Sequence, residues 1–474
     1  MERPNILFIV ADDLNSWIAP LGRHPNVKTP AIDRLASRGT TFLRAYCTAP
    51  YCNASRMSVF TGCLPTTTGV YQNEPFWEAP LRRVTLLERL REAGYFCFGA
   101  GKVFHGSFDY ADAGRNKTLS AKWNDIENRP ALWDEFQTTA AEPMPSGRPL
   151  NGMFDFEDFQ NVMPMNHHFD WGAIEPSRES EMPDFKTAEA VCEFLEKPHK
   201  RPFFCATGFY KPHLPWYVPQ RFLDLYPLDE VSLPFVKNDD LDDVPAIAKT
   251  WALSPPDHET ILKHGQWRNA VQGYLGAISY CDSQIGRVLA ALDASPAADN
   301  TIVVLWGDNG FHLGEKLHWR KFVLWEEATR VPLILSLPRG EATASRVEKP
   351  VSLVDLFPTL LDLCGLEPPA DIDGRSLLPL VRGTETEGRS AIVRWLRGNP
   401  LVRGAKAEDR SAIMTWLRGN HSVRLGRWRY TRYSDMSEEL YDLSADPYEW
   451  NNLIGDARFE NVRLDLGARL PSDD

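Results

Sequence analysis

The run NILFIVADD at residues 5–13 decides the fold class. It is an unbroken apolar stretch that ends in two aspartates, Asp12 and Asp13. Such a stretch, short and bounded by polar residues, is typical of a strand buried on both faces in a parallel sheet. The carboxyl ends of these strands are where open α/β sheets bind their ligands. The run therefore predicts an α/β fold with a polar site beside its first strand.

Strand-like runs alternate with amphipathic helical segments through most of the chain. We predict further strands over residues 95–100, 202–208, 301–306 and 331–337, and helices over residues 29–38, 85–93, 184–196, 267–293 and 351–363. The alternation predicts a large, mainly parallel sheet flanked by helices. After Glu367-Pro368-Pro369 short strands follow. We therefore predict a catalytic α/β domain over residues 1–370. A smaller α+β subdomain with a small antiparallel sheet and a terminal helix is predicted over residues 371–474.

Composition excludes several classes of partner. The 474 residues carry a formal net charge of −12, which argues against a nucleic-acid or anionic-membrane binder. No apolar run approaches the roughly 20 residues that a membrane-spanning helix needs. Met1-Glu2-Arg3-Pro4 leads directly into the first strand and does not resemble a signal peptide. We expect a cytoplasmic protein from the sequence as written, or a periplasmic or secreted one if a leader has been removed.

Cys52 differs from the other seven cysteines, which are scattered through mostly apolar segments and are expected to be buried free thiols. Its surroundings, APYCNASR followed by the helical pattern MSVFTG, are polar and include Arg56. A thiol at a helix N-terminus lies where unpaired N–H groups and the helix dipole favour an anion. Cys52 is therefore a candidate nucleophile.

Two acidic pairs and several basic groups follow predicted strands. Asp12-Asp13 and Asp308-Asn309 offer only oxygen ligands, which suit a hard cation such as Ca²⁺ or Mg²⁺ better than zinc. Collected at one edge of the sheet, the basic groups would form a cationic bowl for a tetrahedral oxyanion. They are Lys102, His105, Lys211, His213, His312, His318, Arg320 and Lys321.

Taken in order, these motifs resemble the sulfatase family of the alkaline phosphatase-like superfamily. The resemblance covers roughly residues 4–455, and the segments GFYKPHLPW and GDNGFHLGEK are most similar to the iduronate 2-sulfatase branch. It implies an alkaline phosphatase-like sheet and a sulfuric ester hydrolase. It also implies that a maturation enzyme oxidises Cys52 to formylglycine, although Ala54 stands where the family motif has proline.

The resemblance also implies the role of each site residue. In the family, the hydrate of the formylglycine attacks sulfur, releases the alcohol and then expels sulfate. Asp12, Asp13, Asp308 and Asn309 match the ligands of the metal, usually calcium, with Mg²⁺ and Mn²⁺ ranked behind. Arg56 matches the arginine that holds the formylglycine, and Lys102 and His105 match the pair that binds and deprotonates the hydrate. His213 and Lys321 match the pair that grips sulfate, with His213 protonating the leaving oxygen.

Two other functions remain open at the sequence level. One is a phosphomonoesterase, phosphodiesterase or phosphonate monoester hydrolase of the same superfamily, and the other is a non-catalytic binder of sulfated ligands with an unmodified Cys52. The expected substrate is a sulfated small molecule or sugar, contacted by Lys211, His312, His318 and Trp319. Trp319 and Phe311 would form a stacking wall, and His167-His168 are a weaker candidate.

One internal repeat has no assigned function. The segment RSAIVRWLRGN at residues 389–399 recurs as RSAIMTWLRGN at residues 410–420, with nine of eleven positions identical. Two copies are too few for a solenoid. A homo-oligomer, in which the repeat serves as an arm, is left open.

Overall fold

The structure is a computed structural model that describes residues 3–74, 81–105, 132–138, 143–153, 169–339, 341, 345–384 and 410–472. His167-His168 and the first repeat copy at residues 389–399 lie outside these ranges. None of the described helices has the length and hydropathy that crossing a bilayer requires.

Nineteen strands occur in the described residues. They are β1 (Asn5–Ala11), β2 (Thr40–Phe42), β3 (Ala45–Tyr46), β4 (Phe96–Gly101), β5 (Glu135–Gln137), β6 (Trp171–Ile174), β7 (Phe203–Phe209), β8 (Trp216–Pro219), β9 (Thr301–Gly307), β10 (His312–Leu313), β11 (Trp319–Arg320), β12 (Arg330–Val331), β13 (Leu333–Ser336), β14 (Ser345–Val347), β15 (Val351–Ser352), β16 (Ser411–Thr415), β17 (His421–Leu425), β18 (Trp428–Arg432) and β19 (Glu438–Asp442).

The α-helices of the same ranges are α1 (Pro30–Ala36), α2 (Cys52–Thr61), α3 (Pro65–Thr68), α4 (Leu86–Glu92), α5 (Pro183–Leu195), α6 (Gln220–Leu223), α7 (Ala246–Leu253), α8 (Asp257–Lys263), α9 (Trp267–Ala294), α10 (Glu326–Thr329), α11 (Leu356–Leu363), α12 (Leu378–Val381) and α13 (Glu460–Gly467). Short 3₁₀ turns cover Ala19–Leu21, Pro176–Glu181, Ala298–Asn300, Glu315–Leu317, Leu353–Asp355 and Ala457–Phe459.

The main sheet has the order β14-β2-β13-β9-β1-β7-β4-β5 in the described chain. Strands β9, β1, β7, β4 and β5 run parallel to one another, and β14 runs parallel to β2. Only β13 is antiparallel to both of its neighbours. The predicted large, mainly parallel sheet is therefore confirmed.

Strand β1 lies at the centre of the sheet and contributes to two hydrophobic cores. Leu7 and Ile9 face the core that α1, α5 and α9 cover. Ile6 and Phe8 face the opposite core, which α2, α4 and α11 cover. Burial on both faces explains why the run is continuously apolar and not alternating.

The C-terminal part of the chain forms the predicted small antiparallel sheet, with the order β16-β17-β18-β19, followed by the terminal helix α13. The boundary at residue 370 stays a prediction. The second repeat copy contains β16 and the tight loop after it.

Candidate functional site

Four neighbouring strands end at one edge of the sheet and deliver the polar groups of the site. In the order β9, β1, β7 and β4, each strand is parallel to the next, so their carboxyl ends lie side by side. Asp308-Asn309 follow β9, Asp12-Asp13 follow β1, and Lys102 follows β4. His213 lies on the loop after β7. This edge is the ligand-binding edge of an open α/β sheet.

Three carboxylates meet at this edge. Oxygens of Asp12, Asp13 and Asp308 lie within 4.8 Å of one another, and all three residues are buried. Asp13 has a left-handed backbone with a φ of 59°, and its N–H donates to Asp308 Oδ1 at 3.0 Å. Asn309 Nδ2 donates to Asp13 Oδ1 at 2.8 Å. The cluster is thus built by backbone and amide donors as well as by strand ends.

Arg56 joins the helix α2 to this cluster. Its Nε donates to Asp308 Oδ2 at 2.8 Å, and its Nη1 donates to Val103 O at 2.9 Å and to Lys102 O. The side chain is completely buried. Because it pairs with carboxylates and backbone carbonyls, Arg56 fixes α2 against the end of β4.

The carboxylate cluster fits a hard cation. Asp12 Oδ1 and Asn309 Oδ1 are buried and accept no hydrogen bond from the described residues. Burial and the charge of Asp12 raise the pKa of Asp308 to about 7. Burial would also raise the pKa of Asp12, but Lys102 and His213 outweigh it and hold that pKa well below its usual range. Clustered carboxylate and amide oxygens that accept no hydrogen bond are a suitable ligand set for Ca²⁺ or Mg²⁺.

Cys52 is the first residue of α2 and lies beside the cluster. Lys321 Nζ donates to its Sγ at 2.8 Å and also contacts Asp13 Oδ1. The Sγ is 4.0 Å from Asp13 Oδ1. Burial and the charge of Asp12 raise the pKa of Cys52 well above its usual value, in spite of the opposing charge of Lys321. The side chain is therefore a neutral thiol here, not the thiolate that direct cysteine catalysis needs.

A cavity of about 150 Å³ opens onto Cys52. His213 lies on its wall with Nε2 3.9 Å from Asp13 Oδ2, and burial lowers the pKa of this imidazole to about 4. Burial and the charge of Lys102 lower the pKa of His105 as well. The cavity is lined by Asp13, Tyr51, Cys52, Asn73, His105, His213, Leu214, Phe311, Arg320, Lys321 and Phe322.

Four residues predicted to contact substrate do not line this cavity. Both ring nitrogens of His318 bond backbone carbonyls, those of Ala252 and Lys321, and Trp319 Nε1 donates to His258 Nδ1. His312 Nδ1 bonds Glu315 O, and Lys211 Nζ donates to Pro215 O at 2.6 Å. All four are buried. Their side chains therefore support the loops around the site, and the predicted Trp319 stacking face is packed inside the protein.

Tyr51, Asn73, Leu214 and Phe322 are cavity residues that the sequence interpretation missed. Tyr51 and Phe322 adjoin Cys52 and Lys321 in the chain, which is a signal that could have drawn attention to them. Nothing in the local sequence distinguishes Asn73 from an ordinary loop residue.

Comparison with known proteins identifies the family. The family model named Sulfatase matches residues 4–366. A sulfatase of Formosa agariphila is 36% identical over 99% of this chain and 87% of its own length. Iduronate 2-sulfatase of Homo sapiens is 29% identical over 77% of this chain and 70% of its own. The crystal structure of a phosphonate monoester hydrolase from Agrobacterium radiobacter superposes with a TM-score of 0.74 at 22% identity, covering 98% of this chain and 94% of that one. At this identity, the similarity to the phosphonate monoester hydrolase shows a shared fold and nothing about activity. The chain belongs to the sulfatase family of sulfuric ester hydrolases.

Proposed function

We propose that this protein hydrolyses sulfate esters of sugars through a formylglycine derived from Cys52, beside a bound calcium ion. The observation that carries the proposal is the convergence of Cys52 Sγ, Lys321 Nζ and the carboxylate cluster on one cavity. The sugar is proposed from the similarity to iduronate 2-sulfatase. The carboxylate and amide oxygens of Asp12, Asp13, Asp308 and Asn309 would hold the ion.

The ion would neutralise negative charge on the sulfate group as the ester bond breaks. Calcium is favoured because the four proposed ligands offer only oxygen and two of those oxygens are unsatisfied within the described structure. Mg²⁺ and Mn²⁺ remain alternatives. Asn309 Nδ2 donates to Asp13 Oδ1, and the Oδ1 of Asn309 is therefore available to a cation.

The aldehyde hydrate would supply an oxygen nucleophile that a neutral, buried thiol does not. Arg56 and Lys102 are proposed to hold this group and His105 to receive its proton. Lys102 and His105 follow the end of β4, and Arg56 of α2 donates to the backbone carbonyls of Lys102 and Val103. Lys321 is proposed to bind a sulfate oxygen with the ammonium that reaches Cys52 Sγ. Maturation requires a formylglycine-generating enzyme that accepts Ala54 in place of proline.

His213 is proposed to protonate the leaving oxygen. Its ring lies on the cavity wall, and burial lowers its pKa to about 4, so the unliganded site holds a neutral imidazole. An anionic sulfate ester beside the ring favours the imidazolium and raises this pKa. The substrate would thereby bring the acid into its working protonation state.

Side-by-side kinetics test the proposal. We expect kcat/KM for 4-nitrophenyl sulfate to exceed the values for 4-nitrophenyl phosphate and for a phenylphosphonate monoester, and Cys52→Ala to abolish turnover. Phosphoryl or phosphonyl turnover that is faster by orders of magnitude would establish the phosphonate or phosphate ester hydrolase instead. Absence of turnover on every ester, together with an unmodified Cys52 thiol, would favour the sulfated-ligand binder.

A further inference from the structure

Three aromatic rings form a wall beside Cys52, which we call the aromatic wall. Tyr51 and Phe322 line the cavity with their ring centroids 5.3 Å apart. Trp416 lies behind them, stacked on Tyr51 at 5.3 Å with an interplanar angle of 19°, and 5.5 Å from Phe322. Trp416 is buried, whereas Tyr51 and Phe322 are partly exposed. Two partly exposed aromatic rings thus line the cavity, and both are in contact with the buried Trp416.

The position of the wall follows from its place in the chain. Tyr51 is the residue before Cys52, and Phe322 is the residue after Lys321. Phe322 has a φ of 73°, an unusual value for an aromatic residue. Trp416 belongs to the second repeat copy, so the C-terminal sheet contributes directly to this side of the site.

Asn73, another residue that lines the cavity, has a buried hydrogen-bond acceptor. Asn53 Nδ2 donates to Gln72 O at 3.3 Å and to Glu74 O at 2.6 Å, which ties the intervening Asn73 to the start of α2. Asn73 lines the cavity, and its Oδ1 is buried without a hydrogen-bond partner among the described residues. A buried acceptor without a donor is costly, so a ligand hydroxyl would stabilise it.

We propose that Asn73 and the aromatic wall form the subsite for the sugar ring that carries the sulfate ester. The apolar C–H face of a pyranose packs on Tyr51 and Phe322, while one ring hydroxyl donates to Asn73 Oδ1. The assignment rests on the proposed function, because an ester bond beside Cys52 brings the alcohol portion into this cavity. A simple aryl or alkyl group could occupy the wall but would leave Asn73 Oδ1 unsatisfied.

The experiment compares Asn73→Ala with the unchanged protein on two kinds of substrate. One is the best substrate from a panel of methyl pyranoside monosulfates, and the other is 4-nitrophenyl sulfate, which has no hydroxyl group. We expect Asn73→Ala to lower the ratio of kcat/KM for the sugar sulfate to that for the aryl sulfate by about three- to tenfold, the effect of one neutral hydrogen bond. Gln72→Ala, which alters the exposed neighbouring side chain, should leave the ratio unchanged.

Monodeoxy analogues of the same pyranoside identify the hydroxyl. With the unchanged protein, one deoxy analogue should have a kcat/KM lower than that of the parent sugar sulfate by a similar factor. With Asn73→Ala, the same analogue and the parent sugar sulfate should have equal kcat/KM values. The inference would be overturned if Asn73→Ala lowered kcat/KM equally for the sugar sulfate and 4-nitrophenyl sulfate. It would also be overturned if the unchanged protein hydrolysed every deoxy analogue at the full rate. Either result would leave sulfate ester hydrolysis in place.

Calorimetric binding of every methyl pyranoside monosulfate of the panel to Cys52→Ala separates this inference from the proposed function, because it does not require turnover. If no ester is turned over but Asn73→Ala still weakens binding to that protein, the subsite stands and the hydrolase proposal fails. Absence of both turnover and binding would overturn both.

Discussion

Lys321 is the residue at which the charges of the site meet. Its ammonium contacts both Cys52 Sγ and Asp13 Oδ1. Burial alone would lower the pKa of Lys321, but the neighbouring carboxylates, led by Asp13, outweigh burial and raise this pKa well above its usual value. The residues on either side of it, Arg320 and Phe322, both have positive φ. Asp257 pairs with the Arg320 guanidinium at 2.6 Å, so the loop is held on the N-terminal side of the lysine. Lys321 is therefore a permanently charged donor in a fixed position.

Replacing Lys321 by alanine should lower kcat by about a hundred- to a thousandfold, the usual cost of removing one donor to charge that develops in the transition state. Steady-state kinetics on 4-nitrophenyl sulfate measure this. Lys263→Ala, an exposed lysine in α8, is the matched control and should leave kcat unchanged. A Lys321→Ala variant with full kcat would show that the ammonium does not act on the reacting group.

Sequence reasoning found the residues at strand ends more readily than those on this loop. Asp12, Lys102 and Asp308 follow runs that predict strands, and parallel strands share an edge, so their convergence could be expected. His318 and Trp319 lie in a loop with left-handed residues, where sequence spacing does not determine side-chain direction. The side chains of His318 and Trp319 are buried and bond other parts of the chain, and Phe322 lines the cavity where Trp319 was expected.

At the scale of elements, a buried ion-pair network attaches the C-terminal sheet to α10 and to β3 of the small sheet β12-β3-β15. Arg429 of β18 donates to Glu326 Oε2 of α10 at 2.6 Å and pairs with Glu449 Oε1 at 2.9 Å. Tyr46 of β3 donates to the other oxygen of Glu326. Burial would raise the pKa of Glu326, but Arg429 and Arg424 outweigh it and lower this pKa to about 2. The carboxylate is thus stabilised in the folded protein.

Glu326→Gln should lower the free energy of unfolding by about 3 kcal/mol near pH 7, because it breaks a buried pair. The unfolded chain protonates Glu326 near its usual pKa of 4.5, above the folded value. The contribution is therefore complete above pH 4.5 and falls by about 1.4 kcal/mol for each pH unit below it.

Urea unfolding at about pH 7 and at about pH 3.5 measures how much lower the free energy of unfolding of Glu326→Gln is than that of the unchanged protein at each pH. Glu92→Gln, from the exposed Arg89–Glu92 pair on α4, is the control and should change stability by less than about 0.5 kcal/mol. A deficit of Glu326→Gln that is the same at both pH values would contradict the assigned pKa shift.

For the whole molecule, a chain with net charge −12 pairs three buried cationic side chains with the three carboxylates of the site. Lys102, Lys321 and Arg56 are brought to one sheet edge, where a bound cation would add to them. The overall fold could be predicted because each long strand is buried and recognisable locally. A strand at β13 was predicted, but neither its antiparallel direction nor the two-residue strands could be, because strand pairing depends on distant partners.

Calcium should stabilise the folded protein if the carboxylate cluster binds it. At a hundredfold excess over Kd, the stabilisation is about 2.7 kcal/mol, which raises Tm by a few degrees. Differential scanning calorimetry of chelator-treated protein with and without CaCl₂ measures this. Asp308→Ala should abolish the increase, and equal Tm values with and without calcium in the unchanged protein would contradict the site.

The central claim is that Cys52 is the precursor of the nucleophile, and the mass of one peptide tests it most directly. Trypsin releases residues 45–56, which carry Cys47 and Cys52. Cys47 is fully buried with its pKa raised chiefly by burial, and it serves as an internal thiol control. We predict that Cys47 is alkylated as a thiol while Cys52 has the mass of the aldehyde and reacts with a carbonyl probe. Alkylation of both residues as thiols, in a protein that hydrolyses sulfate esters, would contradict the account.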